Sequence, residues 1–218
     1  MKPLLTVLLL LTSLALPAAR AAGPEPVEGV DYVRIEAGAW DPRPGRIEVV
    51  EIFGYTCPHC AHFEPRLRQW HRRQGKDVDL VPVPVAFGGT SDAWARVYFA
   101  SVRLGVAGRT HPAVFEALHE RGSLPRNPTP QELSDFFAGF GIEPERFRAT
   151  LADPEVQSHI DKARTWLRQT GLEGTPTLVV NGRWRVAGRS FEDTLRTTEW
   201  LIARERAAAR AAASQTSR

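Results

Sequence analysis

The spacing of apolar positions changes several times along this chain, and each change marks an element. Residues 47–53, Ile-Glu-Val-Val-Glu-Ile-Phe, form a β-branched, mostly apolar run, the pattern of a strand covered on both faces and central in a sheet. A helix is predicted from Pro58, whose missing N–H costs nothing in a first turn, past Phe63, Leu67 and Trp70 to a stop at Gly75. Residues 77–85 read as the next strand, with Pro82 and Pro84 limiting it to an edge or a short central stretch. Strand, helix and strand make a βαβ unit. Ahead of it, residues 32–35 alternate as a short strand, and residues 41–45, Asp-Pro-Arg-Pro-Gly, force a turn.

After Phe87-Gly88-Gly89 the period becomes helical. Trp94, Val97, Tyr98 and Val102 share one helix face, and residues 112–121 predict a second helix. A polar loop follows, and Thr129-Pro130-Gln131-Glu132 has capping-box spacing for a helix running to about Phe140, with a short one over residues 145–151 behind it. Asp153-Pro154 opens a longer helix on which Val156, Ile160, Ala163 and Leu167 recur at amphipathic spacing as far as Gly171. Residues 177–180, the pair Asn181-Gly182 and residues 184–186 predict a two-residue hairpin. The last helix starts at the capping spacing of residues 190–193, runs through Leu195 and Trp200, and is expected to fray after about Ala212. The order implies one sheet with a helical lobe inserted through its middle.

Composition adds a compartment. Lys2 followed by the largely apolar residues 4–16 and the small-x-small site Ala19-Arg20-Ala21 reads as a secretory signal peptide, too short to span a bilayer. Removing residues 1–21 leaves 26 basic against 25 acidic residues, a balance that points to no nucleic-acid partner. An exported chain meets an oxidising environment in which a cysteine pair persists as a disulfide.

The two cysteines of this 218-residue chain are Cys57 and Cys60, at the seam between strand and helix. A bridge closing so short a loop stabilises weakly as a staple, so a redox-active pair is the better reading. Cys57 at a helix start faces unpaired N–H groups and the positive dipole end, and His59 can add a donor or a charge, so a thiolate is favoured there. Such a thiolate leaves readily, and the pair is expected to be oxidising. The alternatives are a zinc site using Cys57, Cys60 and His62, which lacks a fourth ligand, haem attachment, which Ala61 excludes, and an inert bridge. Glu51 reads by pattern as a strand-end carboxylate touching water; if buried, it could exchange a proton with the Cys60 thiol. The other histidines, 62, 71, 111, 119 and 159, read as surface or packing residues, and Trp70, Trp94 and Trp166 as core.

These residues resemble the DsbA family of periplasmic thiol oxidases. The resemblance rests on Glu51-Ile52-Phe53-Gly54-Tyr55-Thr56 leading into Cys57-Pro58-His59-Cys60, on the helical insertion, and on Gly174-Thr175-Pro176-Thr177 before the Asn181-Gly182 hairpin. It implies an α/β, thioredoxin-like fold with an inserted helical domain: a signal peptide at 1–21, an extension at 22–45, thioredoxin-like parts at 46–89 and 154–208, the insertion at 90–153, and a flexible tail at 209–218. It also implies Cys57, Pro58, His59, Cys60 and Glu51 as catalytic residues, Glu51 being the buried acid. Thr175 and a cis Pro176 would bind an extended substrate peptide. The expected partners are reduced exported polypeptides and a membrane quinone-linked oxidase of DsbB type, with a monomeric, periplasmic protein that does not itself span the membrane and no cofactor. One position departs, since Thr175 stands where the best-known enterobacterial members carry valine. A reductase or isomerase of the same fold, and a non-catalytic exported binding protein with a structural bridge, are the competing functions. A dimerisation domain of the isomerase kind has no room between residue 21 and the strand at 47.

Overall fold

The most apolar run of the chain organises the sheet. In the computed structural model, which describes residues 24–216, β1 (Tyr32–Arg34), β2 (Ile47–Phe53), β3 (Val78–Pro84), β4 (Thr177–Val180) and β5 (Trp184–Val186) lie in the order β1-β5-β4-β2-β3. Every residue of β2 is buried. It pairs in parallel with β3 and antiparallel with β4. The proline-bearing β3 is an edge strand, where the missing N–H groups of Pro82 and Pro84 disturb only one neighbour. The helix α1 (Pro58–His71) joins the two parallel strands. It ends a few residues before Gly75, with Arg72 N donating to the Arg68 carbonyl and Arg73 N to the Trp70 carbonyl.

Alternation along β2 decides what each face meets. Ile47 and Val49 pack with Phe63, Leu67 and Trp70 of α1 and with Leu201 and Ile202 of α7 (Phe191–Thr216). Val50 and Ile52 face the other way, into a cluster with Ile160, Ala163 and Leu167 of α6 (Pro154–Gln169). Burying a Leu or Ile side chain contributes about 1.5–3 kcal/mol each. Glu51 shares the parity of Val49 and so lies on the α1 side of the sheet, inside the core rather than at its rim.

Between β3 and β4 the chain builds the helical lobe from α2 (Thr90–Arg103), α3 (Ala107–His119), α4 (Pro130–Ala138) and α5 (Pro144–Leu151), then enters α6. The capping box forms as predicted: Glu132 N donates to Thr129 Oγ1 at 3.2 Å while Thr129 N donates to the Glu132 carboxylate at 2.7 Å. Such a cap contributes about 1 kcal/mol. Asp153 caps α6 in the same way, accepting from Glu155 N at 2.8 Å.

Four features differ from the expectation. Val102 is 46% exposed, because it sits in the last turn of α2, beside Arg103 as the latter reaches out to Asp153 and Glu155. The α3 helix begins at Ala107, five residues before Pro112, which it holds in its interior; the proline forfeits one bond in the second turn, and the Thr110 hydroxyl bonds the Val106 carbonyl at 3.1 Å in the turn before. The hairpin loop has three residues rather than two, since Val180 pairs with Trp184. Asn181 and Gly182 take the expected positive φ of 50° and 62°, but Asn181 N is drawn to the Glu48 carbonyl at 2.8 Å and the Arg183 carbonyl accepts from Ile35 N, so the turn is shaped by neighbours outside it. Finally, α7 continues to Thr216, past the expected fraying point, through an alanine-rich stretch of high helix propensity. The predicted signal peptide at residues 1–21 lies outside the described residues.

Candidate active site

Cys57 is the N-cap residue of α1, with φ −85° and ψ 116°. The approach from β2 is a tight turn in which Cys57 N donates to the Gly54 carbonyl at 3.0 Å. A side chain at position 54 would bring its Cβ within 3.3 Å of Val85 and 3.8 Å of the Cys57 Cβ, so glycine lets the turn close. Both cysteines are thiols in this structure, Cys57 partly exposed and Cys60 buried one turn in. Across the cleft, the loop before β4 contains a cis Thr175–Pro176 bond, and Cys57 Sγ lies 3.4 Å from the Thr175 carbonyl.

The two sulfurs are driven apart in acidity. A hydrogen bond from the Cys60 thiol pulls Cys57 down to about 5; burial opposes this, and the Thr175 side chain and the backbone amides of Cys60 and His59 assist it. Cys60 is pushed far up, first because its proton is held by the Cys57 sulfur and second because it is buried. The pair therefore carries one thiolate, on the outer sulfur, and one proton, on the inner. The predicted help from His59 arrives by a different atom: its backbone N–H faces the sulfur, while its side chain is exposed. Pro58 occupies the first helical position and projects to solvent.

Glu51 is only 1% exposed, which overturns the reading of a strand-end carboxylate in water. Its strand neighbours Pro82 and Leu178 close it in on both sides. Its Oε1 has no hydrogen-bond partner, and burial, followed by the charge of Glu64, raises its pKa to about 8, so it is protonated at neutral pH. Glu51 borders a cavity of about 220 Å³ together with Glu64 and Arg68 of α1, Tyr98 of α2 and His111 of α3. The cavity can hold several water molecules. Glu64 Oε1 lies 3.0 Å from the Arg68 guanidinium at its edge, and burial raises Glu64 as well, against Arg68 and Arg72. His111 is held neutral, its pKa lowered to about 3 by burial, with Nε2 unpartnered.

Several residues at this site escape a reading of the sequence. Glu64 follows Cys60 by four residues, a spacing that alone places both on one face of α1. The histidines at 111 and 119, expected at the surface or in packing, both bind the turn before Cys57. His111 Nδ1 lies 3.0 Å from the Tyr55 hydroxyl and His119 Nε2 lies 2.7 Å from the Tyr55 carbonyl. Arg126, from the α3–α4 loop, donates to the Thr56 carbonyl at 2.6 Å. Their only sequence signal is that 111 and 119 lie two helical turns apart. Phe87 is 56% exposed in the loop after β3, at the same end of the sheet as the Cys57 turn because β2 and β3 run parallel.

Comparison with known proteins agrees with this geometry. Residues 48–198 match the family model of the DSBA-like thioredoxin domain. The thiol:disulfide interchange protein DsbA of Pseudomonas aeruginosa is 36% identical over 210 residues, covering 95% of this chain and 98% of the relative; DsbA of Burkholderia cepacia is 33% identical, covering 93% and 94%. Among solved structures, the oxidoreductase DsbA from Xylella fastidiosa superposes with a TM-score of 0.81 at 54% identity, covering 84% of this chain and 98% of that one. The oxidoreductase NmDsbA1 from Neisseria meningitidis gives 0.70 at 26% identity, covering 84% and 96%.

Proposed function

Because the chain belongs to the DSBA-like thioredoxin domain family, we propose that it is a thiol:disulfide oxidase that donates the Cys57–Cys60 disulfide to newly exported proteins. It has the thioredoxin-like fold, and it is an oxidoreductase. The observation that carries the direction of the reaction is the opposed acidity of the two sulfurs, with Cys57 held near pKa 5. A dithiol form stabilised as a thiolate makes the disulfide form the better oxidant.

In the mechanism, a substrate thiolate attacks the Cys57 sulfur of the disulfide. The Cys57–Cys60 bond breaks, a mixed disulfide forms, and Cys60 leaves and takes a proton. Glu51, protonated at neutral pH and bordering a cavity large enough for water, is the proposed acid for that proton. A second substrate thiolate then attacks its partner sulfur in the mixed disulfide, and Cys57 leaves as the stabilised thiolate. The substrate has lost two electrons and the enzyme has gained them. Thr175 and Pro176, opposite Cys57, are the proposed rest for an extended substrate chain, with the exposed Phe87 available to its apolar side chains. Re-oxidation by a membrane quinone-linked partner of DsbB type completes the cycle, in the periplasm. Among the described residues no helix is long and apolar enough to cross a membrane.

Equilibration with glutathione tests the reading. The expected result is a reduction potential well above that of thioredoxin, and accumulation of mixed disulfides through Cys57 in Cys60→Ser. A thioredoxin-like potential would transfer the chain to the reductases, and a bridge that glutathione leaves intact would make it structural.

A further inference from the structure

The turn that delivers Cys57 is held from outside the thioredoxin-like part. Its two carbonyls before Cys57 are each met by the helical lobe, Tyr55 by His119 and Thr56 by Arg126. Arg126 is itself placed by the lobe: Trp94 Nε1 donates to the Arg126 carbonyl at 2.9 Å, and the hydroxyl of Thr90 reaches the neighbouring Asn127 at 3.4 Å. Trp94 packs edge-on against Tyr55, with ring centroids 5.5 Å apart, so the loop and the redox turn share one support. The Thr56 carbonyl belongs to the peptide bond that leads into Cys57, so the guanidinium is fixed on the residue immediately before the reactive one.

We propose that Arg126 is a positioning residue for the redox couple: fixed on the Thr56 carbonyl by the helical lobe, its guanidinium holds a permanent positive charge at the peptide preceding Cys57 and makes that sulfur a better leaving group. The proposal deepens the oxidase reading and rests on it. The other groups around Cys57 do not supply such a charge at a fixed place. Cys60 and the exposed His59 come from α1, and Thr175, across the cleft, is uncharged. Glu173, the one acid on the loop from 171 to 176, is engaged by Arg185 at 2.7 Å. Tyr55 turns its hydroxyl to the buried, neutral His111, and His119 meets the Tyr55 carbonyl. Arginine suits the place because it stays charged at every working pH and keeps further N–H donors after one is spent on the carbonyl.

The charge is exposed and screened, so its effect is moderate. Removing it by Arg126→Met is expected to raise the thiolate titration of Cys57, read by absorbance near 240 nm, by about half a pH unit at low salt, and to shift the glutathione equilibrium about threefold toward the disulfide form. Two controls separate charge from scaffolding. Arg126→Lys keeps the charge and is expected to restore most of the shift. Added salt is expected to raise the wild-type titration toward that of Arg126→Met while hardly moving the variant. A variant that loses thermal stability but titrates and responds to salt as the wild type does would overturn the proposal and leave Arg126 a structural pin. The titration reads the thiolate whichever way electrons flow, so that outcome would leave the oxidase reading standing.

Discussion

The outer and inner ends of the first turn of α1 differ more than three residues of sequence suggest. At the outer end, Cys57 is partly open to solvent, is flanked by the amides of His59 and Cys60, and is held as a thiolate near pKa 5. At the inner end, Cys60 is buried and keeps its proton. Hydrogen-bond donors decide the first; at the second, the proton held between the two sulfurs and burial outweigh the donors that are present. One helix turn thus separates a place that stabilises negative charge from one that expels it, and a disulfide spanning the two is poised to be given away.

The contrast breaks most visibly at Glu51. Its folded pKa, raised to about 8 from 4.5, means that the pH-dependent part of the burial cost is absent below pH 4.5, where the acid is neutral folded or unfolded, and grows through the window up to about 8. Glu51→Gln keeps the shape without the charge. It is expected to gain about 5 kcal/mol over the wild type between pH 4 and pH 9 in denaturant titrations of the reduced protein; a difference flat in pH would show Glu51 to be solvated.

A smaller effect belongs to Cys57. With the folded pKa below the unfolded value of 9, thiolate stabilisation of the reduced form is absent below about pH 5, grows between 5 and 9, and is complete above. The reduced protein should therefore gain on the oxidised one over that window by about 2 kcal/mol, discounted for the exposed sulfur. Melting curves of both forms at pH 4 and pH 8 would check this, and a reduced form that loses stability relative to the oxidised one as pH rises would reverse the outer half of the comparison.

The smallest expected change is at Thr175. Its side chain helps to lower Cys57, whereas its carbonyl contact is backbone and survives substitution. Thr175→Val should raise the Cys57 titration by about half a unit, and because the same side chain also lowers Cys60, both sulfurs lose a donor. A fall instead would mean that the hydroxyl opposes the thiolate.

Much of this was legible in the chain, for reasons that differ by element. The β2 run is apolar at positions facing both ways, which only a central strand explains, and Cys57 at a strand-to-helix seam announces its own chemistry. The capping box and Asp153 are local devices and formed as read. Glu51 was misread by pattern because a carboxylate in a strand is usually at an edge or an end, and its burial depends on α1 and the helical lobe covering the sheet above it. His111, His119 and Arg126 gave no usable signal, since each acts on Tyr55 or Thr56 across 56 to 70 residues of chain.

By itself, then, the sequence determined the elements, their caps, the redox pair and the place of that pair at a helix start, because these depend on spacing within a few residues. The tertiary structure alone decided the acidity of each sulfur, the proton held by Glu51, and the lobe's grip on the turn before Cys57. Those depend on burial and on partners brought from distant parts of the chain, and the electrostatic cost of a buried charge is set by what surrounds it in space.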